Sequence, residues 1–206
     1  IAPALTWPAS GKTTGSAGVY FDGSTDYVTI HNSSADLMLT SGDVARTIEF
    51  WFYRLKNDDN DGFMVSSGTN ANNRWQIWAS SDNKVGFYVI HGSTVRVPVM
   101  YTPDTYNLYE WNHFMLTKSS GIYRMYLNGK YQIKNSSADT TNGGFNDDIT
   151  LGVSPYSTST DEFRGYIDGL RFRTDAVTTS ENTTNWSNGY SEPTRVYGAF
   201  GQETPD

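Results

Sequence analysis

"EWNHFMLTKSSGIYRMYLNGKYQ", residues 110–132, decides how this chain is read. Two runs with strand character, 113–118 and 123–128, are punctuated by "KSSG" (118–121) and "LNGK" (127–130). The Asn128-Gly129 pair is the strongest short-range hairpin cue in the chain, because both residues tolerate positive φ. Trp111 and Phe114 are expected to point inward with Leu116 and Leu127. The stretch carries no obvious catalytic group and reads as scaffold.

Working outward, strand character between turn signals recurs at 18–30, 46–54, 62–66, 74–79, 85–91, 94–99, 148–153 and 165–173. In "TIEFWFY" (47–53), Ile48, Phe50 and Phe52 point one way and Glu49 and Trp51 the other, which suits a central strand buried on both faces. Glu49 then needs a cation, and Arg171 or Arg173 of "YIDGLRFR" (166–173) is the expected partner. Helical spacing is scarce; short helices are expected only near 34–39 and 180–186. Many short strands between polar turns imply an all-β fold, a sandwich of two antiparallel sheets.

The composition agrees. Aromatic residues make up 15% of the chain and Gly numbers 19, a blend of residues for pleated surfaces and for turns. At 206 residues one domain is expected, with its core at about 18–173 and a C-terminal extension at 174–206 that either wraps the sandwich or leads to a neighbour. Starting at Ile1 without a basic or apolar leader, the sequence reads as a piece processed or excised from a longer chain. Fifteen Lys and Arg against 22 Asp and Glu give a net charge of −7, the wrong sign for a nucleic-acid or anionic-membrane partner. No apolar run approaches the length of a spanning helix, so membrane insertion is not expected. Without cysteine there are no disulfides, zinc-thiolate sites or thiol nucleophiles.

Taken in order, "VYFDGSTDYVTI", "SGDVARTIEFWFY", "GFMVSSG", "RWQIWASSDNKVGFYV", the stretch quoted first, "ITLGVSP" and "FRGYIDGLRF" resemble the laminin-G-like branch of the concanavalin A-like lectins and glucanases. That resemblance implies a two-sheet jelly roll. "FDGSTDYVTI", "SADLMLTSGD" and "LGVSPYSTSTDEFRGYIDGLRF" are more narrowly similar to laminin-G-like modules of bacteriophage virion proteins, which decorate capsids or sit on tail fibres. The location implied is a virion or another extracellular surface.

The enzymes of this fold leave no matching motif. Its glucanases carry an E-x-D-x-x-E strand, whereas here Glu49 is followed by Trp51 and Tyr53. Its alginate lyases use a Q-I-H strand, and "WQIW" places Trp78 where the histidine belongs. His31, His91 and His113 read as surface or satisfied core residues. Where the pentraxins carry the Asp-Asn pair of their calcium site this chain has Asn72 and Asn73, but Leu151 to Pro155 supply no carboxylates at the second place. No cofactor is expected. If a metal binds, it is calcium at Asp58, Asp59 and Asp61 of "NDDND", a loop that otherwise reads as solvated; Asp147 with Asp148 is a second cluster, and Asp22 with Asp26 reads as turn-forming. The Asn32, Asn135, Asn182 and Asn185 sequons matter only in a secreted eukaryotic protein.

Sugar rings present an apolar C–H face to Trp or Tyr, while Asn, Asp and Arg bond their hydroxyls. Candidate ligand contacts are therefore Asn72, Asn73, Arg74 and Trp75 at a strand edge, Tyr101, Tyr106 and Tyr109 in "MYTPDTYNLYE", and Tyr156 in a long loop. The expectation is a non-catalytic carbohydrate-binding or adhesion module whose partner is a glycan or host cell-surface polysaccharide. The alternative is a structural virion protein that binds only other virion chains, and a polysaccharide-cleaving enzyme ranks third.

Overall fold

The computed structural model describes residues 18–32, 44–55, 61–139, 147–155 and 161–179, and among them twelve strands build two antiparallel six-stranded sheets. The first sheet runs β1 (Val19–Asp22), β12 (Arg164–Arg173), β3 (Arg46–Arg54), β8 (Trp111–Ser119), β9 (Ile122–Leu127), β10 (Lys130–Lys134). The second runs β2 (Val28–Ile30), β11 (Ile149–Leu151), β4 (Gly62–Asn70), β5 (Asn73–Ala79), β6 (Val85–His91), β7 (Thr94–Tyr101). Neighbours from opposite ends of the chain make this a jelly-roll sandwich, as expected.

The stretch at 110–132 forms three strands and not two. Ser120-Gly121 (φ 50° and 70°) turns β8 into β9, and Asn128-Gly129 (φ 49° and 74°) turns β9 into β10, so both are two-residue loops with positive φ at each central position. Asn128 adds side-chain bonds: its Oδ1 accepts from the His113 N–H at 2.8 Å and its Nδ2 donates to Asn112 Oδ1 at 3.1 Å. Trp111 is buried but not inward. It stands three residues from Phe114, an odd separation, so the pleat puts the two on opposite faces, and Trp111 packs on Tyr53 and Tyr166 outside the first sheet.

Residues 18–30 also depart from expectation. They form two strands in different sheets, separated by a turn in which Asp22 Oδ1 accepts from the N–H of Ser24, Thr25 and Asp26 at 2.8, 3.0 and 3.4 Å. Those bonds hold the Asp22 carboxyl below its ordinary pKa and bear out the turn-forming reading. The helices expected at 34–39 and 180–186 lie outside the described residues.

The core fills the space between the sheets. Ile48, Phe50, Phe52, Phe114 and Leu116 from the first sheet meet Ile77, Phe87 and Val89 from the second, all at most 1% exposed. Each such side chain contributes about 1.5–3 kcal/mol by leaving water. Arg54 ties one sheet's end to the other's: its Nη1 donates to the carbonyls of Ala79 and Ser80 and to the Tyr106 hydroxyl, at 2.9, 2.8 and 2.5 Å.

On the outer side of β3, Glu49 finds Arg171, Oε1 to Nη1 3.7 Å, and His113, Oε2 to Nε2 3.8 Å. A bulge between Asp168 and Arg171 makes this pairing, because the extra residue at Gly169 (φ 60°) shifts Arg171 onto the face of Asp168 and sends Leu170 into the core. Arg173, the other expected partner, pairs with Asp175 at 2.7 Å. The start of the C-terminal extension wraps this face. Thr47 Oγ1 donates to the Asp175 carbonyl at 2.8 Å and accepts from the Val177 N–H at 3.1 Å, while Val177 packs on Met115 and Tyr126.

Candidate binding face

The outer face of the second sheet is built by strand alternation. With Trp75, Ile77 and Ala79 committed to the core, β5 turns Arg74, Gln76 and Trp78 outward. Register then aligns Thr29, Thr150, Ser66, Gln76 and Tyr88 across β2, β11, β4, β5 and β6 as one polar row. A hydrogen-bond chain runs along it: Arg74 Nε donates to the Tyr88 hydroxyl, which donates to Gln76 Oε1, and Gln76 Nε2 donates to Ser154 Oγ at 2.7 Å. Ser66 Oγ lies 2.9 Å from Thr150 Oγ1 and donates to the Val153 carbonyl at 2.9 Å, so the turn after β11 roofs one end of the row.

Beside this row lies an aromatic one. Phe63, Trp78, Gly86 and Tyr101 stand opposite one another in register, and a Cβ on Gly86 would lie 2.2 Å from the Trp78 ring. The missing side chain is what lets the indole lie over β6 and reach Tyr101, centroid to centroid 5.6 Å, with Tyr88 at 5.4 Å on its other side. The Arg74 guanidinium sits 5.1 Å from the centre of the Tyr88 ring. Gln76, Ser66, Ser154 and Trp78 are themselves buried, so what this face presents to solvent is Arg74, Tyr88 and Tyr101, held in place from beneath. Its acidic margin is Asp61 and Asp82: burial raises the Tyr101 pKa, and these two carboxylates raise it further.

Of the residues expected from sequence, Arg74 and Tyr101 are on this face, Tyr101 41% exposed. Asn72 and Asn73 sit at the β4–β5 turn and tie it to the next turn, through Ser93 N–H to the Asn72 carbonyl at 3.1 Å and Gly92 N–H to Asn73 Oδ1 at 2.9 Å. Trp75 and Tyr106 are corrected: both are core residues, at 1% and 2% exposure, too deep to stack on a ligand. Even spacing from Ile77 and Ala79 forces Trp75 inward, and Tyr106 lies edge-on to Phe52 at 5.2 Å while bonding Arg54. Tyr156, Asp58 and Asp59 lie outside the described residues. Asp61 accepts from the Ser81 N–H at 3.2 Å, and burial, the largest influence, raises its pKa. Among the described residues, no group of three or more His, Cys, Asp or Glu is placed to hold a metal ion.

The remaining polar candidates have structural roles. Asp148 accepts from the Asn32 N–H at 3.1 Å and lies 2.9 Å from His31 Nδ1, so the Asp147–Asp148 cluster fastens the end of β2. Asn135, in one of the sequons, is buried with its amide spent on Gly121, Ser137 and Tyr123. Sequence reasoning missed Ser66, Gln76, Trp78 and Tyr88 as a set. The alternation within 74–79 and 85–91 signalled their outward direction, but not their common register.

A family model described as the concanavalin A-like lectin/glucanases superfamily, laminin G type, matches residues 22–181. No curated protein matches the chain by sequence. Solved structures share its fold at low identity. The CBM40 of the Ruminococcus gnavus IT-sialidase, bound to α2,3-sialyllactose, aligns at TM-score 0.67 and 15% identity over 86% of this chain and 100% of that one. A SAP-like pentraxin from Limulus polyphemus aligns at TM-score 0.57 and 15% identity, over 89% and 91% of the two chains. The NanB sialidase of Streptococcus pneumoniae aligns at TM-score 0.64 and 16% identity over 83% of this chain, which spans only 27% of the sialidase.

Proposed function

Because the chain belongs to the concanavalin A-like lectin/glucanases superfamily, we propose that it is a non-catalytic carbohydrate-binding module whose ligand lies on the outer face of the second sheet. The observation that carries this reading is the Arg74–Tyr88–Gln76–Ser154 hydrogen-bond chain running beside the Trp78 and Tyr101 rings. A sugar needs polar groups of fixed direction around its rim and an aromatic ring against its C–H face, and this surface offers both already ordered. Arg74, Tyr88 and Tyr101 would touch the ligand, with Asn72 at the rim and Gln76 and Ser154 fixing the direction of the chain. The sequence resemblance to phage laminin-G-like modules supports a virion or other extracellular surface as the place of action.

A glycan array with and without chelator tests this. Binding to one sugar class is expected, with Tyr101→Ala and Arg74→Ala each weakening it about tenfold, the equivalent of ~1.4 kcal/mol. Loss of the signal in chelator would bring in calcium at Asp58, Asp59 and Asp61. A blank array at high protein concentration would replace the reading with a structural virion protein that binds only protein chains.

A further inference from the structure

Part of the first sheet's outward side is dry. Arg171, Glu49, Met115 and Tyr126 stand directly opposite one another on β12, β3, β8 and β9, with Asp168, Trp51 and His113 next along β12, β3 and β8. Alternation points all seven away from the core, because Ile48, Phe50 and Phe52 take the other face of β3. Yet Glu49, Trp51, His113, Met115 and Tyr126 are each at most 3% exposed. Large rings and charges this deeply buried on the outside of a sheet need a covering layer.

The chain supplies the first part of that layer itself. Thr47 holds Asp175 and Val177, Val177 packs on Met115 and Tyr126, and Thr179 Oγ1 lies 3.0 Å from the Tyr126 hydroxyl. Residues 174–179 thus cross from β3 over β8 to β9. Thr179 opens a helical turn, and Thr178 with Glu181 has the spacing of a capping box. The sequence that follows, "SENTTNW" (180–186), lies outside the described residues and is polar up to Trp186. If that turn continues, Thr179, Thr183 and Trp186 share one face, with Trp186 about 10.5 Å beyond Thr179. From Tyr126, His113 lies one strand across and two residues along, about 8 Å away, and Trp51 one strand further, about 12 Å away.

We propose that this outward face is the docking site of the chain's own residues 180–186, which carry the wrap on as a helix and seat Trp186 against Trp51 and His113, sealing the Glu49–Arg171 pair beneath it. Three observations select that occupant. The segment continues a strip already hydrogen-bonded to the same face. Its one large apolar side chain falls, at helical spacing, within reach of the Trp51 and His113 rings, whose centroids are 5.0 Å apart. Its other side chains are polar, as suits the outer side of a covering helix. The family model matches residues 22–181, so most of this strap lies beyond the part of the chain that the model covers. The inference does not rest on the function proposed above, whose face is on the other sheet.

The test is ¹⁹F NMR of the full chain labelled with 5-fluorotryptophan, its six tryptophan resonances assigned by single Trp→Phe variants. The Trp51 and Trp186 resonances are both expected to show the small H2O-to-D2O shift of a buried ring. Trp186→Ala is expected to move the Trp51 resonance, raise its solvent shift and lower the urea midpoint, and Trp186→Phe to recover part of each. A Trp186 resonance with the solvent shift of a free fluoroindole in the unsubstituted chain overturns the proposal, as does a Trp51 resonance indifferent to Trp186→Ala. A Trp51 resonance moved instead by Trp7→Ala would give the face to residues 1–17, and one that moves with protein concentration would give it to a second copy of this chain; either overturns the proposal. Any sugar binding that depends on Arg74 and Tyr101 is expected to survive Trp186→Ala, so the two readings fail separately.

Discussion

His113 lies on the covered side of the first sheet, its ring 5.0 Å from that of Trp51 and its Nε2 3.8 Å from Glu49. Burial, and then the nearby Arg171 charge, lowers its pKa from 6.5 to about 3. Between those values the unfolded chain binds a proton that the folded chain refuses. The stability it contributes is therefore whole above pH 6.5 and is lost as pH falls toward 3, at up to ~1.4 kcal/mol per unit. In His113→Gln, the urea-unfolding free energy should lose that slope between about pH 6.5 and 5, a window above the ordinary titration of carboxylates. An unchanged slope would assign the proton uptake to other groups. The sequence gives no sign of this role, because the charges facing His113 come from β3 and β12, far along the chain.

The element most legible in the sequence is the β8–β9 hairpin with the turn that follows it, because two-residue turns with positive φ name themselves through Ser-Gly and Asn-Gly. Gly129→Ala should cost about 1–2 kcal/mol by forcing a Cβ into the left-handed region, read as a lower urea midpoint at unchanged m. Asn128→Ala should cost at least as much, since it also removes the acceptor of the His113 N–H. A smaller loss in both would show that the left-handed conformation at these two positions contributes little to the stability of the turn. Strand β10 escaped the reading because "KYQIK" is an edge strand with little buried surface to impose alternation. The change of sheet within 18–30 escaped it because an Asp-Gly-Ser turn looks alike in sequence whether the chain returns to its own sheet or crosses to the other.

Across the whole molecule, Arg54 joins the sheets through three hydrogen bonds at one end of the sandwich. Arg54→Ala would leave two carbonyls and the Tyr106 hydroxyl short of a buried charged donor, at a cost of about 3 kcal/mol or more in chemical denaturation. Arg54→Lys, with a point charge in place of a planar fork, should recover only part of it. A loss below about 1 kcal/mol would mean that water replaces the guanidinium and that the sheets are held by the apolar core alone. The outward rows belong to this scale as well. Each takes a single residue from each of four or five strands, so each exists only once the register is fixed.

By itself the sequence determined the strand-forming segments, the tight turns and the two-sheet class, since periodicity and turn chemistry act between residues close along the chain. It also narrowed the partner of Glu49 to Arg171 or Arg173, because a buried charge on a central strand demands a countercharge; the bulge in β12 chose Arg171. Tertiary structure alone decided which outward residues stand together: Arg74 with Tyr88 and Gln76 on one sheet, Tyr20 with Tyr166, Tyr53 and Trp111 on the other. It also decided that Trp75 and Tyr106 are core. The physical reason is that side-chain direction follows from local alternation, whereas neighbours across a sheet depend on register, bulges and sheet order set by packing of the entire chain.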